Sequence, residues 1–206
     1  MNAIQLVVPR DDVPLVSEMG ARCYEESGRW YVPSGIDPSR FSRWITHYTR
    51  SNLSCSRVYY ARGEHQCEAC DVRVPVFALV LPSGYTEVLD AHGAAHEVCR
   101  LEPAFIRDVE HIRESVAAEL KMLSHDCYRQ AFDRCSLRWF WRNHCRACDR
   151  VIDDESLFEI GGQAFRPVSI VQAERIHLFA RDHDASVSGA AVGSPTTWWM
   201  PAMRMS

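Results

Sequence analysis

Two Cys-x-x-Cys pairs constrain the fold of this 206-residue chain more than any other feature of its sequence. The pairs are Cys67 with Cys70 and Cys145 with Cys148, and 74 residues separate them. Two intervening residues let the backbone curl until both sulfurs of a pair reach one ion at about 2.3 Å. Two pairs therefore supply the four thiolates of a tetrahedral site, and we expect these four cysteines to bind zinc. Such a closed coordination sphere leaves no position for water or substrate, which favours a structural role for the metal.

The long separation between the pairs exceeds the usual gap in a zinc ribbon, so we expect a metal domain built around an insertion. Separate sites, redox use and coincidence stay open as alternatives, and His65 or His144 could replace a cysteine. A tetrathiolate zinc centre carries a formal charge of about minus two. Four arginines close in sequence could balance that charge or simply face solvent: Arg73, Arg142, Arg146 and Arg150.

The thiols are expected to be reduced, because the chain has an odd count of nine cysteines and no secretory signal in its first residues. The sequence thus predicts a cytoplasmic location. A thioredoxin-like role needs a Cys-x-x-Cys that opens a helix, whereas the apolar run Val74 to Leu81 after the first pair predicts a buried strand. No stretch is long and apolar enough to predict a membrane span. The remaining cysteines outside the candidate sites are most simply small buried side chains: Cys23, Cys55, Cys127 and Cys135.

Charge is distributed unevenly along the chain. The net charge is −4 at pH 7, which argues against a protein whose whole surface coats nucleic acid. Residues 1 to 62 hold eight arginines and six acids, whereas residues 63 to 206 hold 15 basic and 21 acidic residues. We therefore expect the two parts to present different faces or to bind different partners.

The first 50 residues predict a small βαβα module. Ile4 to Val8 is an apolar run that predicts a strand, and Val13 to Met19 predicts a helix capped by Asp11 or Asp12. Arg29 to Val32 predicts a second strand, after which Asp37 and Pro38 begin a second helix.

This region resembles a small uncharacterised domain found in plasmid-borne DNA primases and other mobile-element proteins. The likeness covers about residues 1 to 46 and rests on four segments: Leu6-Val7-Val8-Pro9, Gly20-Ala21-Arg22, Arg29-Trp30-Tyr31-Val32-Pro33-Ser34-Gly35 and Phe41 to Trp44. The resemblance implies an accessory module in proteins that often handle DNA, and it implies no reaction.

Residues 38 to 62 contain no acid and interleave arginines with aromatic residues, a pattern typical of single-stranded nucleic-acid binding. The same aromatic residues recur at three- and four-residue spacings, which favours the alternative that they pack in a core. We call this set the arginine–aromatic stretch: Arg40, Phe41, Arg43, Trp44, Tyr48, Arg50, Arg57, Tyr59, Tyr60 and Arg62.

Residues 51 to 183 predict an α+β metal domain that is zinc-ribbon-like and β-rich, with a helical insertion. Apolar residues at three- and four-residue spacings predict an amphipathic helix within 104 to 124. Leu137 to Trp141 predicts a strand that leads to the second cysteine pair, and Leu157 to Ile160 with two glycines predicts a hairpin beyond it. Ser, Gly and Ala dominate from residue 184, so 184 to 206 is expected to be a flexible tail.

This second region resembles bacterial proteins of unknown function that pair a Cys-x-x-Cys and an apolar strand with a later Asn-His-Cys-x-x-Cys. The residues that carry the likeness are Asn143-His144-Cys145-Arg146-Ala147-Cys148 and Ser156-Leu157-Phe158. The family often has glycine after the second cysteine of each pair, where this chain has Asp71 and Asp149.

Two further groups of residues have the composition of a functional site. His92, His96 and Cys99 would align two imidazoles for a second metal on a helix, although Gly93 weakens that helix and loop histidines explain the spacing more simply. Ser124-His125-Asp126 has the residue types of a hydrolase triad, but sequence neighbours do not point at one another in the required relay.

These observations predict a non-catalytic, zinc-stabilised binding protein, first of all a nucleic-acid accessory factor of the mobile-element type. A protein-binding inhibitor, immunity or anti-defence factor is the alternative, and a metal-dependent hydrolase ranks last. The partner is therefore expected to be a macromolecule, either nucleic acid or protein, and the oligomeric state stays open.

Overall fold

A computed structural model describes residues 4–24, 28, 30–45, 51–91, 94–159, 161–192 and 200–206. The fold is mixed α+β with more strand than helix, as the sequence predicts. The strands are β1 Ile4–Leu6, β2 Arg22–Cys23, β3 Trp30–Val32, β4 Leu53–Cys55, β5 Val58–Gln66, β6 Arg73–Leu81, β7 Tyr85–Ala91, β8 Ala94–Arg100, β9 Ala104–Ile112, β10 Tyr128–Asp133, β11 Arg138–His144, β12 Val151–Ile152, β13 His177–Arg181, β14 Ala185–Val192 and β15 Arg204–Met205. The helices are α1 Val13–Glu18, α2 Glu114–Ser124, α3 Asp154–Phe158 and α4 Ile170–Ala173, with 3-10 helices at Arg10–Asp12 and Pro38–Trp44.

The chain forms two compact units. The small unit comprises Met1–Tyr48 and Phe132–Trp139, and the large unit comprises Thr49–Ala131 and Phe140–Ser206. The predicted module at 1 to 50 omits one component of the small unit, the tip of the hairpin formed by β10 and β11. Local patterns cannot reveal such an addition, because it depends on contacts between residues far apart in sequence.

The small unit contains a three-stranded antiparallel sheet in the order β1-β3-β2. The predicted first strand and first helix correspond to β1 and α1, but the βαβα description leaves out β2. The second predicted helix is a 3-10 helix, which begins where the Asp37 side chain accepts a hydrogen bond from Ser39 N at 3.0 Å. Phe41 and Trp44 on this helix are buried, so these two aromatic residues pack in the core of the unit.

The large unit is built on a nine-stranded sheet in the order β15-β13-β5-β6-β9-β14-β4-β7-β8. The predicted strand from Val74 to Leu81 is β6, and its side chains are buried on both faces of the sheet. Phe77, Leu79 and Leu81 join a core with α2, whereas Val76 and Val80 belong to a second core. This double burial explains why the strand is almost continuously apolar. The second core also contains Cys67 and Cys145 together with residues of α3, so the candidate metal ligands lie on that side.

The helix predicted somewhere within 104 to 124 is α2, Glu114–Ser124, whereas the earlier part of the same apolar repeat lies in β9, Ala104–Ile112. The pairing of β9 with β14 shifts register between Ser188 and Ala190, and Asp108 lies within this irregular stretch with a positive φ of 51°. The irregularity turns both Ile106 and Val109 toward one core. A disrupted strand therefore reproduces the three-residue spacing of a helix, and only the second half of the segment, α2, is helical.

The predicted flexible tail at 184 to 206 is also wrong for the residues that the structure describes. Strand β14 pairs with β9 and β4, and β15 pairs with β13 in parallel. Gly189 belongs in this strand for a steric reason, since a Cβ there would lie 2.8 Å from the Ile106 side chain. Small residues thus fit a crowded strand here. Trp198 and Trp199 fall outside the described residues.

The predicted hairpin at Leu157 to Ile160 is replaced by the short helix α3. Asp153 caps this helix by accepting a hydrogen bond from Ser156 N at 2.9 Å. Leu157 and Phe158 are then both buried in the second core, which neighbouring residues of a strand could not achieve on one face. Among the described helices, none has the length and apolar character needed to cross a membrane.

Candidate metal centre

The first cysteine pair lies in the turn between β5 and β6. Cys67 N donates to Val72 O at 3.0 Å, and Asp71 N donates to Cys67 O at 2.8 Å, which closes the turn around the two cysteines. Asp71 has a φ of 60°, a conformation that favours glycine. The Gln66 side-chain amide donates to the Asp71 carboxylate at 2.8 Å and to its carbonyl at 3.0 Å. These bonds hold the aspartate in the strained conformation that the turn requires.

The second pair lies between β11 and β12 and repeats the same turn. Cys145 N donates to Arg150 O at 2.8 Å, and Asp149 N donates to Cys145 O at 2.8 Å. Asp149 has a φ of 61°, and the Arg129 guanidinium donates to its carboxylate at 2.6 Å. Each turn therefore has an aspartate held by a side-chain donor at a position whose positive φ favours glycine.

The four sulfurs of the two pairs converge on one point. Cys67 Sγ lies 3.8 Å from Cys148 Sγ, and Cys70 Sγ lies 3.6 Å from Cys145 Sγ. All four sulfurs lie within 4.8 Å of one another. A tetrahedron with metal–sulfur bonds of about 2.3 Å has edges of about 3.8 Å, whereas a disulfide would need about 2.05 Å. The predicted convergence of the two distant pairs is confirmed, and the spacing fits four thiolates around one ion.

Hydrogen bonds within the cluster spread the thiol pKa values apart. Burial disfavours the Cys145 thiolate, but N–H groups of Cys148 and Ala147 stabilise it and bring the pKa of Cys145 down to about 7. The Val72 N–H also favours the Cys70 thiolate. Partial burial and thiol hydrogen bonds outweigh that effect and raise the pKa of Cys70 to about 12. The cluster thus releases one proton readily and retains others, so a cation that binds all four sulfurs must displace protons.

The Asn143 side chain links β11, which leads to the second cysteine pair, to β6, which follows the first cysteine pair. Its Oδ1 accepts from Phe77 N at 2.7 Å, and its Nδ2 donates to Phe77 O at 2.9 Å. Both bonds are buried, and Asn143 is 1% exposed. The side chain therefore replaces a missing strand partner for β6, two residues before Cys145. The sequence signal for this role was a polar residue within the aromatic strand that leads to the second pair.

The Arg142 guanidinium takes part in a network of ion pairs with two carboxylates. Its guanidinium forms ion pairs with Asp154 and, at 2.8 Å, with Asp108, and it lies over the Phe140 ring at 4.6 Å. Asp154 also accepts a hydrogen bond from Asp108 N at 2.6 Å. Burial raises the pKa of Asp154 to about 6, although Arg142 opposes that shift. Sequence proximity alone did not reveal this network, which joins β11 to β9 and α3.

The two histidines considered as substitute ligands do not join the cluster, which among the described residues consists of the four cysteines. The His144 ring Nδ1 lies 3.2 Å from Arg142 O, and burial lowers the pKa of His144. His65 is 6% exposed, and its Nδ1 has no hydrogen-bond partner among the described residues. His65 and Cys67 line a hollow of about 340 Å³ beside the first turn.

The other candidate sites are not assembled in the described part of the chain. His96 and Cys99 lie exposed on β8, where residues three apart point to opposite faces; His92 lies outside the described residues. The Ser124 hydroxyl donates to Lys121 O at 3.4 Å and accepts from Tyr128 N at 3.2 Å. The Ser124 side chain therefore stabilises the C-terminal end of α2 and the turn that follows it.

The arginine–aromatic stretch does not form a continuous exposed stripe. Tyr60 is buried like the two core aromatic residues of the small unit. Arg43 lies 3.3 Å from Asp12, and Arg57 lies 2.5 Å from Asp182, so both arginines have acidic partners. Tyr48 and Arg50 lie outside the described residues. Core packing, the alternative favoured by the spacing, accounts for the buried aromatic members.

Comparison with known proteins gives no match: no family model, no curated protein and no solved structure is significantly similar to this chain.

Proposed function

We propose that this chain is a non-catalytic binding protein whose fold is stabilised by a structural zinc ion held by Cys67, Cys70, Cys145 and Cys148. The observation that carries the proposal is the convergence of the four sulfurs at separations of 3.6 and 3.8 Å between the two pairs. Zinc is favoured because a closed set of four thiolates suits its tetrahedral, redox-inactive chemistry.

A structural role is supported by what the ion would hold together. The two cysteine pairs belong to separate hairpins, β5–β6 and β11–β12, that are far apart in sequence. Metal binding to such a site contributes folding free energy, since the unfolded chain does not contain a preformed site. The bound ion would thus cross-link two hairpins and would offer no vacant position for a reaction.

The proposed partner is nucleic acid, in agreement with the resemblance of the N-terminal module to domains of proteins that handle DNA. A protein partner is the second candidate, and a specific surface favours it. Val168, Ile170 and Val171 are 60%, 56% and 62% exposed and lie close together in sequence at the start of α4. Exposed apolar residues in such a group are typical of protein interfaces.

The structural role can be tested by replacing zinc with cobalt in the purified protein and recording its absorption spectrum. We expect the intense bands of tetrahedral sulfur coordination and no change when excess azide is added. Removal of the metal by a chelator should also lower the urea midpoint for unfolding. A spectrum that changes with azide would reveal an open coordination position and contradict the non-catalytic proposal, and unchanged stability would contradict the structural role.

The protein-partner alternative makes a separate prediction. A partner that co-purifies with the wild-type chain should be lost from a variant carrying Ile170→Asp and Val171→Asp. Retention of the same partner by this variant would remove the reason for favouring that surface.

A further inference from the structure

Three basic side chains stand side by side near the β15 edge of the nine-stranded sheet. His177 on β13 lies directly opposite Arg62 on β5 and directly opposite Arg204 on β15. Residues in these positions project from the same face, and adjacent strands are about 4.8 Å apart. The two arginines are therefore separated by about 10 Å across the sheet, with the histidine between them.

These residues line a hollow of about 230 Å³ together with Arg175, Gly63 and Glu64. Arg62, Arg175 and Arg204 are exposed, and none of them has an acidic partner within 4.0 Å among the described residues. Glu64 is the one carboxylate in this lining, and its Oε2 lies 3.9 Å from Arg73 Nη1. The hollow therefore has an excess of positive charge, although the whole chain is acidic.

These exposed guanidinium groups without acidic partners give the surface a positive potential that attracts anions. A phosphate group suits such a surface, because the planar guanidinium groups of arginine bind phosphate oxygens through paired hydrogen bonds.

The hollow continues along the sheet into a second one of about 180 Å³. The two hollows share Gly63, Glu64 and Arg175, and the second adds Arg73 and three side-chain amides. Those amides are Gln66, Gln163 and Gln172. Together the two hollows form a basic groove whose lining, among the described residues, contains no Phe, Tyr or Trp. Amides and arginines contact phosphates and sugars, whereas aromatic side chains stack on bases.

We propose that this basic groove binds the sugar–phosphate backbone of a nucleic acid without reading its sequence. This inference rests on the proposed function as a binding protein and names its partner and surface. Two adjoining hollows that together contain four arginines favour a polymer with several phosphates over a single small anion. Four arginines, each neutralising about one phosphate, predict a slope of about −3 for log Kobs against log salt concentration.

The test measures fluorescence anisotropy of labelled single-stranded and duplex DNA of unrelated sequences, titrated with the zinc-loaded full chain. Arg62→Glu and Arg204→Glu are each expected to weaken binding more than tenfold for every sequence. Arg62→Gln should weaken binding less and should reduce the salt slope by about 1. Arg134→Glu is the matched control, because it makes the same charge change at an exposed arginine of the small unit that lies outside the arginine–aromatic stretch. This control should bind within twofold of the wild type.

Three results would overturn the proposal: no binding at low salt, equal losses in Arg134→Glu and Arg62→Glu, or strong preference for one sequence. Inorganic phosphate at constant ionic strength provides a further arm. If phosphate displaces the DNA at an ionic strength at which chloride does not, the groove is a small-anion site and the polymer assignment is wrong. Circular dichroism and zinc content of each variant identify loss of folding, and Arg62→Gln then decides the outcome.

Zinc content measured on the same samples separates this proposal from the function proposed above. A chain that retains zinc but does not bind DNA contradicts the groove and the nucleic-acid partner, and leaves the structural zinc standing. A chain that binds DNA but holds no metal contradicts the structural zinc and leaves the groove standing.

Discussion

Replacement of Asn143 by alanine tests how the two cysteine pairs are held in register. The change removes both hydrogen bonds to Phe77, at 2.7 and 2.9 Å, and leaves a buried N–H and a buried C=O of β6 without partners. Each such group costs about 1–3 kcal/mol when it is left unsatisfied. Asn143→Ala is therefore expected to lower the free energy of unfolding by about 4 kcal/mol.

The same change should also weaken zinc binding, because Asn143 positions β11, the strand that ends directly before Cys145. Mutation of a residue that orients a metal ligand through hydrogen bonds typically lowers the affinity for the metal by about 10- to 100-fold. Urea unfolding at a fixed free zinc concentration gives the stability, and competition with a chromophoric chelator gives the affinity.

Asn52 offers a matched control within the chain. Its side chain pairs with Gly189 N and Gly189 O at 3.0 and 2.9 Å in the same two-bond manner, but it lies on the segment before β4. Asn52→Ala should cost about 1–2 kcal/mol, since these bonds are only partly buried, and should leave zinc affinity unchanged. A loss below about 1 kcal/mol for Asn143→Ala, or an equal fall in zinc affinity for both variants, would refute the reasoning.

Two further predictions concern carboxylates near the centre. The pKa of Asp154 is raised from 3.8 to about 6, so the fold favours the protonated carboxyl. Its contribution to the free energy of unfolding is therefore fully present below about pH 4 and is lost as the pH rises through 6. Relative to Asp154→Asn, the wild type should lose up to about 3 kcal/mol between pH 4 and 7, measured by parallel urea titrations; parallel curves for the two proteins would contradict this. Asp149 has a φ of 61°, so Asp149→Val should cost about 2 kcal/mol, whereas Asp149→Gly should stay within about 1 kcal/mol of wild type. Equal urea midpoints for these two variants would show that backbone strain is unimportant there.

The four clustered cysteines could be picked out from the sequence because the Cys-x-x-Cys spacing is a local feature. Two residues between cysteines allow one ion to be shared, and this spacing holds wherever the pair lies in a fold. The strand at Val74 to Leu81 was also predictable, since burial on both faces leaves a continuous apolar run. That the two cysteine pairs lie together, although 74 residues separate them in sequence, is shown only by the structure.

Other features depend on contacts that local patterns do not encode. The irregular pairing of β9 with β14 produced a helix-like spacing at Ile106 and Val109, and the small residues of β14 resembled a tail. Asn143 and Arg142 were visible as polar residues in an aromatic strand, but their partners Phe77 and Asp154 come from other elements. The groove at Arg62, likewise, depends on strands that meet only in the folded sheet.

The most direct test of the structural metal centre is X-ray absorption at the zinc edge of the reduced protein, purified without added metal. The account predicts one zinc per chain with four sulfur neighbours at about 2.3 Å and no nitrogen or oxygen ligand. Absence of tightly bound zinc, or a first shell that contains nitrogen or oxygen, would contradict the assignment of Cys67, Cys70, Cys145 and Cys148 as a closed structural site.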